Sequence, residues 1–239
     1  RLVGLGYASK LFRHNKDLHA FEDLSINGNE VAFGMIGDAS TAEGHFFETM
    51  NAAGVLQIPV AVAVWDDGYG VSVPTKLQLT KGSVSEAIKG LERNKESNGI
   101  QIYKAKGWDY PGLIEAFKQG IELCRKNHVP VVFHIEEMTQ PQGHSTSGSH
   151  ERYKSKDRLR FEEEFDPITK MRSWILEQDL ATASELDAIE KETEEVAEKA
   201  REEAWQHFIQ PLKKEREELI SMVKQREVIC QDEQKEHKI

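Results

Sequence analysis

The stretch Gly37–Gly70, GDASTAEGHFFETMNAAGVLQIPVAVAVWDDGYG, decides the fold of this chain of 239 residues. An apolar run, Val31–Ile36, comes just before it, and a segment with helical spacing of apolar residues follows the Gly37-Asp38 turn. A second apolar run, Val60–Trp65, ends at Asp66-Asp67-Gly68. This order predicts a β-α-β crossover between parallel strands. Both turns then lie at the carboxyl edge of the sheet, where ligands bind in open α/β folds.

The rest of the chain repeats this alternation, which predicts a doubly wound α/β fold with a mostly parallel sheet. Strands are predicted over Glu30–Ile36, Val60–Trp65, Gly99–Ala105 and Val129–Ile135. Helices are predicted over Leu2–Phe12, from Ser40 to about Gln57, and over Val84–Asn94, Tyr110–Asn127, Phe165–Gln178, Glu185–Gln210 and Leu212–Val228. Pro211 is expected to break or kink the helical region between the last two.

Glycines and capping residues predict further features of the first two helices. Gly4 and Gly6 interrupt the first helix, which we interpret as close packing against another backbone. Ser40 followed by Glu43 predicts a capping box at the start of the next helix. Because Leu2–Ala8 has the pattern of a packed helix and Arg1 is not a start methionine, we expect further sequence upstream.

Acidic residues stand in the two turns where a hard cation needs oxygen. Mg²⁺ prefers about six oxygen ligands, typically one or two carboxylates, water and phosphate oxygens. Asp38 and Asp67 can supply the carboxylates, and the glycines Gly68 and Gly70 allow a backbone carbonyl to turn inward. A helix N-terminus just after Asp38 suits a diphosphate, because its N–H groups are free. The alternative interpretation is that both aspartates are ordinary turn and cap residues.

The spacing of these residues resembles a known cofactor motif. Gly37-Asp38-Ala39, followed after Ser40–Trp65 by Asp66-Asp67, resembles the thiamine diphosphate motif, in which GDG precedes an Asn pair. The wider segment Gly37–Thr75 resembles the alpha subunit of thiamine-dependent 2-oxo acid dehydrogenases of the pyruvate and branched-chain type.

This resemblance implies roles for individual residues. Asp38, Asp67 and the backbone carbonyl of Tyr69 are expected to hold Mg²⁺. The cofactor's diphosphate is expected to lie near Gly37, Ala39 and Ser40. Tyr69 and Val71 either contact the thiazolium ring or cover the core.

Two departures from the family motif affect these expectations. Ala39 replaces the last glycine of GDG, and alanine fits there only if its φ is negative. Asp66-Asp67 replaces the Asn pair, which keeps an oxygen ligand and adds negative charge. We expect Mg²⁺ binding to survive both.

The segment Thr139–Lys156 lacks apolar periodicity and is expected to be a mobile loop at the same sheet edge. It resembles the family's phosphorylation loop, in which Gly-His-Ser precedes a Tyr-Arg pair. The resemblance implies that His144 reaches the cofactor as a catalytic residue, since imidazole can bond a diphosphate or exchange a proton near neutral pH. Ser145 occupies the position that kinases modify in some relatives, although Arg152-Tyr153 reverses the family's pair. The alternative is that His144 is simply solvated.

Composition excludes several classes of function. The net charge of −10 argues against nucleic acid or an anionic membrane surface as a partner. The two cysteines, Cys124 and Cys230, form no CxxC pair, so neither a disulfide framework nor a zinc site is indicated, and a cytoplasmic protein is expected. No apolar run is long enough to span a bilayer.

Residues 1–180 are predicted to form the thiamine diphosphate-binding domain, incomplete at its N-terminus, and residues 181–239 a charged helical extension. The extension is either solvated, a subunit contact, or a linker to a beta half. The resemblance implies a decarboxylating dehydrogenase that transfers an acyl group to the lipoyl group of an acyltransferase. It further implies a beta half, separate or fused, with two alpha and two beta halves assembling together. A transketolase-like enzyme and a Mg²⁺-dependent phosphate-binding regulatory module are the alternatives.

Overall fold

The computed structural model describes residues 1–140 and 149–236, with side chains described as far as residue 226. Its helices are α1 (Leu2–His14), α2 (Gly44–Leu56), α3 (Val84–Ala87), α4 (Tyr110–Asn127), α5 (Lys156–Glu164), α6 (Pro167–Glu177) and α7 (Ala183–Glu236). Its strands are β1 (Ala32–Gly37), β2 (Val60–Trp65), β3 (Tyr69–Gly70), β4 (Val73–Pro74), β5 (Gln101–Lys106) and β6 (Val131–Glu136).

The chain forms two compact units, Arg1–Trp174 and Ile175–Ile239. The assignment of residues 1–180 to cofactor binding stays a prediction. In the part of the chain that is described, no helix is both long enough and apolar enough to cross a membrane.

The main sheet has four parallel strands in the order β1-β2-β6-β5. The last residue of β1, Gly37, pairs with Trp65, and Trp65 pairs with Ile135 of β6. Three strands therefore end side by side, which places the turns that follow them at one edge.

Helices cover both faces of the sheet, which confirms the doubly wound α/β fold. On one face, α1 and α2 pack over β2, whose Val60 and Val64 are fully buried. On the other face α4 packs on β6, where Phe117 stacks on Phe133 with ring centroids 4.3 Å apart. Cys124 of α4 is a free, fully buried thiol in this second cluster.

The two glycines of α1 behave differently from each other. A Cβ on Gly6 would lie 2.7 Å from the Cγ2 atom of Val60, so this glycine lets α1 approach β2 closely. A Cβ on Gly4 would meet no heavy atom within 4 Å, so the close packing expected there is wrong.

Two expectations about helices are wrong, and a third is wrong in part. The capping box of Ser40 and Glu43 does not form: a 3₁₀ turn, Ala39–Ala42, takes its place, and α2 starts at Gly44 without a side-chain cap. The helix expected over Val84–Asn94 is only the four-residue α3 followed by a 3₁₀ turn. Helix α7 continues through Pro211, so the break expected there does not occur, while the kink stays a prediction.

Candidate functional site

Backbone hydrogen bonds join the turns at the carboxyl edge of the sheet. The N–H of Asp38 donates to the carbonyl of Trp65 at 3.1 Å, and the N–H of Asp66 donates to the carbonyl of Ile135 at 2.9 Å. The N–H of Met138 in turn donates to the carbonyl of Asp66 at 3.0 Å. The turns after β1, β2 and β6 thus converge, as the sequence predicted.

Asp38 is buried at this edge, with only 3% of its surface exposed. One carboxylate oxygen accepts a hydrogen bond from the hydroxyl of Thr75, and its backbone carbonyl accepts one from the hydroxyl of Thr41 at 2.5 Å. Burial raises the pKa of Asp38 to about 6, and the charges of Asp66 and Asp67 add to this effect. A carboxylate whose ionised form is disfavoured in this way gains from a nearby cation.

Asp66 is held in place by His134 of the neighbouring strand β6. Its Oδ2 atom lies 2.7 Å from the Nε2 atom of His134, and its Oδ1 atom accepts from the N–H of Gly68 at 2.9 Å. The other ring nitrogen of His134 lies 3.0 Å from the hydroxyl of Ser85. Burial works against ionisation of Asp66, but the hydrogen bond and charge of His134 outweigh it and lower the pKa of Asp66. Both of its oxygens are therefore occupied by the protein.

Asp67 is the second predicted metal ligand, and burial raises its pKa as well. The N–H of Tyr69 donates to its carboxylate at 3.1 Å, and the charges of Lys154 and Arg158 oppose the effect of burial. Arg158 also donates to the backbone carbonyl of Asp67 at 2.9 Å. Burial thus raises the pKa of two of the three aspartates at this edge, so a nearby cation would stabilise their ionised forms.

The segment after Gly68 forms a small hairpin. Tyr69 pairs with Pro74, and Gly70 pairs with Val73. The N–H of Thr75 donates to the carbonyl of Gly68 at 3.0 Å, so Tyr69 and Pro74 form a non-hydrogen-bonded pair of the ladder. The Tyr69 carbonyl therefore points away from Pro74, where it is available to another donor or a cation.

Val71 does not cover the core, which corrects one of its two predicted roles. Its side chain is 64% exposed and its φ is +58°, a conformation in which a β-branched residue is strained. It stands at the first position of the hairpin loop, where glycine is usual.

Ala39, which replaces the last glycine of the GDG motif, meets the requirement that its φ be negative. It lies in the right-handed 3₁₀ turn Ala39–Ala42, which alanine adopts without strain. A Cβ on Gly70 would lie 2.8 Å from the Cβ of Ala39, so the hairpin approaches the alanine closely where it has a glycine.

The surface near the start of α2 is open. A Cβ on Gly37 would meet no heavy atom within 4 Å. A cavity of about 250 Å³ lies beside this turn and is lined in part by Ser40, Glu43 and His45. Space for a ligand therefore exists next to the predicted diphosphate residues.

A buried ion pair stands beside Asp67. Lys154, only 5% exposed, donates to Glu162 of α5 at 2.7 Å, and Arg158 donates to the same carboxylate at 2.8 Å. Tyr153 packs edge-on against Tyr69, with ring centroids 5.6 Å apart. Tyr153 and Lys154 both belong to the predicted loop Thr139–Lys156, so the last part of that loop returns to the site and is packed there, and the mobility expected for this part is wrong.

The predicted loop residues His144 and Ser145 lie outside the described residues. Of the other predicted residues, Asp38, Asp67 and Tyr69 are brought together, with Ala39 against the hairpin. Sequence reasoning missed Thr75, His134 and the pair of Lys154 with Glu162. A signal existed for His134, since it is the polar residue inside the apolar run of β6.

Among the described residues, no group of three or more His, Cys, Asp or Glu side chains is arranged to hold a metal ion. A cation bound here would draw on two carboxylates, a backbone carbonyl and oxygens of a diphosphate or water, which is the mixture that Mg²⁺ accepts. The raised pKa values and the available Tyr69 carbonyl fit that requirement.

Comparisons with known proteins agree with the sequence pattern. A family model described as "Dehydrogenase E1 component" matches residues 2–213. The pyruvate dehydrogenase E1 component subunit alpha of Rickettsia bellii is 28% identical over 183 residues, which cover 77% of this chain and 53% of that protein. The chloroplastic pyruvate dehydrogenase E1 component subunit alpha-3 of Oryza sativa is 28% identical over 200 residues, which cover 84% of this chain and 44% of that protein. The chain spans about half the length of the curated relatives it matches.

Proposed function

This chain belongs to the dehydrogenase E1 component family, and from that we propose that it is the alpha-type half of a thiamine diphosphate-dependent 2-oxo acid dehydrogenase. The observation that carries the proposal is the convergence of Asp38, Asp66 and Asp67 at the carboxyl edge of a parallel sheet, where burial disfavours the ionised forms of Asp38 and Asp67. Pyruvate stands in the names of the relatives, and it is the first substrate to test.

In this proposal the three aspartates have different tasks. Asp38, Asp67 and the Tyr69 carbonyl hold Mg²⁺. Asp66 is not a ligand, because His134 and the Gly68 N–H occupy its oxygens. Its fixed negative charge lies beside the ligands and strengthens the attraction for a cation.

The diphosphate of the cofactor would lie over Gly37, Ala39 and Ser40, next to the open turn before α2. When bound, thiamine diphosphate supplies the chemistry that removes carbon dioxide from a 2-oxo acid. The exposed side chain of Val71 is free to contact its ring, and Tyr69 is held in place by Tyr153. His144 is proposed to bond the diphosphate or to exchange a proton, as its place in the loop motif implies.

Activity is proposed to require partners. The acyl group would pass to a lipoyl-bearing acyltransferase, and a beta half, separate or fused, would complete the cofactor site in an assembly of two alpha and two beta halves. A cofactor held from one side would leave its reactive centre open to water. The cytoplasmic location stays a prediction from the cysteine content.

A thermal-shift comparison separates this function from the two alternatives. We expect thiamine diphosphate with Mg²⁺ to raise the melting temperature of the chain mixed with its beta half, and ATP with Mg²⁺ to leave it unchanged. A shift with ATP and none with thiamine diphosphate would favour a phosphate-binding regulatory module.

The transketolase-like alternative is tested by turnover. Lys154 and Arg158 beside Asp67 are both engaged by Glu162, so they do not form a ready site for a sugar phosphate. We expect the assembled protein to decarboxylate a 2-oxo acid and to be inactive on sugar phosphates. The opposite pattern of turnover would overturn the proposed substrate class.

A further inference from the structure

Helix α7 carries a row of exposed apolar side chains. It begins with a capping box, in which the N–H of Thr182 donates to Glu185 at 2.8 Å. The helix has 54 residues, a length of roughly 80 Å at 1.5 Å per residue. Apart from the partly buried Leu186, the large apolar residues in the row expose more than half of their surface, including 61% for Val196, 64% for Phe208 and 62% for Leu219. Such a long solvated helix gains most of its stability by packing an apolar face against a partner.

The apolar row is nearly symmetric about Ala204. When a second copy of the helix is laid antiparallel with the two Ala204 residues opposed, apolar residues meet apolar residues at equal distances on either side. The opposed pairs are Leu186 with Met222, Ile189 with Leu219, Val196 with Leu212, and Ala200 with Phe208. The small Ala200 facing the large Phe208 lets the two helices interdigitate.

The two halves of α7 carry opposite net charges, which favours an antiparallel pair of helices. Residues 183–203 contain nine acidic and three basic residues, whereas residues 205–226 contain three acidic and five basic residues. An antiparallel partner brings each acidic half beside a basic half. A parallel partner would place like halves together.

Individual charges beside the apolar row follow the same rule. At 3.6 residues per turn, Glu192 and Glu194 flank the row on opposite sides, as do Lys214 and Arg216. In the antiparallel register Glu192 lies beside Lys214 of the other copy, and Glu194 lies beside Arg216. In a parallel pair Glu192 would instead meet Glu194. Flanking charges of this kind set the orientation of paired helices.

We propose that α7 pairs antiparallel with α7 of a second copy of this chain, centred on Ala204. The contact is isologous, so the same surface serves both copies. It involves α7 only and does not depend on cofactor binding.

Cysteine cross-linking of the full chain tests the register directly. The background is Cys230→Ser, and Cys124 is buried. Ala204→Cys is expected to form a disulfide-linked dimer on mild oxidation. The matched control Thr193→Cys lies in the same row, but in the proposed register its two copies are about 33 Å apart, so it should form no disulfide link.

The outcomes of this experiment are distinct. Mixing Thr193→Cys with Glu215→Cys should give a mixed dimer, because these positions are opposed. Cross-linking of Thr193→Cys on its own would indicate a parallel or unspecific pair and would overturn the proposal. A chain that light scattering shows to be monomeric, with no cross-link at Ala204→Cys, would also overturn it.

Charge reversal provides an independent test by sedimentation. Lys214→Glu with Arg216→Glu should weaken dimerisation of the full chain about tenfold or more, since four opposed charge pairs per dimer become repulsive. Adding Glu192→Lys and Glu194→Lys should restore it. Equal dimerisation of all three proteins would contradict the antiparallel arrangement.

Discussion

Replacing His134 by leucine is expected to destabilise the protein by about 3 kcal/mol, the lower end of the cost of breaking a buried ion pair. The side chain of His134 is fully buried and that of Asp66 is 14% exposed. Leucine fills a similar volume but removes the 2.7 Å contact to Asp66 and the 3.0 Å contact to Ser85. Asp66 keeps the Gly68 N–H as a hydrogen-bond partner, so we expect the lower end of that range of free-energy costs.

Urea unfolding with a double-mutant cycle measures the pair itself. The cycle consists of His134→Leu, Asp66→Asn and the double variant, and we expect an interaction energy of at least about 1.5 kcal/mol. An interaction energy below about 0.5 kcal/mol would refute the proposed interaction of His134 with Asp66, because the interaction energy of residues in contact is normally larger.

The pH dependence of the same cycle has a defined sign. The folded pKa of Asp66 lies below its unfolded value, so its contribution is present above about pH 4 and is lost as pH falls through the folded pKa. The His134→Leu variant should therefore lose less stability than the wild type on acidification.

Three further expectations concern the backbone and the metal. Gly6→Ala should destabilise the protein by about 1–3 kcal/mol, since the new Cβ would lie 2.7 Å from Val60. The control Gly4→Ala should stabilise the protein by about 0.5–1 kcal/mol, because nothing lies near that position. Urea unfolding measures both variants, and equal effects would contradict the packing of α1. Val71→Gly should raise the free energy of unfolding by about 1 kcal/mol by relieving its positive φ, and a loss of stability would count against that strain. Since burial raises the pKa of Asp38 to about 6, the contribution of Asp38 to the stability of the metal-free protein should fall as pH rises from about 4 to about 6, while calorimetric Mg²⁺ affinity should rise through about pH 6 as the proton is displaced. A pH-independent affinity would exclude Asp38 as a ligand.

Much of the fold follows from the sequence because its strands are continuous apolar runs. The run Val60–Trp65 is buried on both faces, and helices with clear apolar faces leave few other places for it. The aspartates were located for the same reason, since a turn after a parallel strand must lie at the carboxyl edge.

The failures come from interactions that local pattern does not encode. The capping box of Ser40 and Glu43 gave way to a 3₁₀ turn, in which the hydroxyl of Thr41 bonds the carbonyl of Asp38. The exposure of Val71 depends on a two-residue hairpin loop that its apolar side chain did not indicate.

The residues that hold the site aspartates in place were the largest omission from the sequence-based prediction. His134 and Asp66 are far apart in sequence and meet only because β2 and β6 are neighbours. The ion pair of Lys154 with Glu162 likewise depends on how the chain returns to the site after β6.

The central claim is that Asp38 and Asp67 bind Mg²⁺ together with thiamine diphosphate, and calorimetry of the chain with its beta half tests it most directly. Thiamine diphosphate is titrated with and without Mg²⁺ into the wild type, Asp67→Ala and Glu96→Ala, the last being an exposed control that precedes the amino end of β5. We expect Mg²⁺-dependent binding by the wild type and Glu96→Ala, and an affinity at least about 100-fold weaker for Asp67→Ala. The same affinity in all three proteins would contradict the claim.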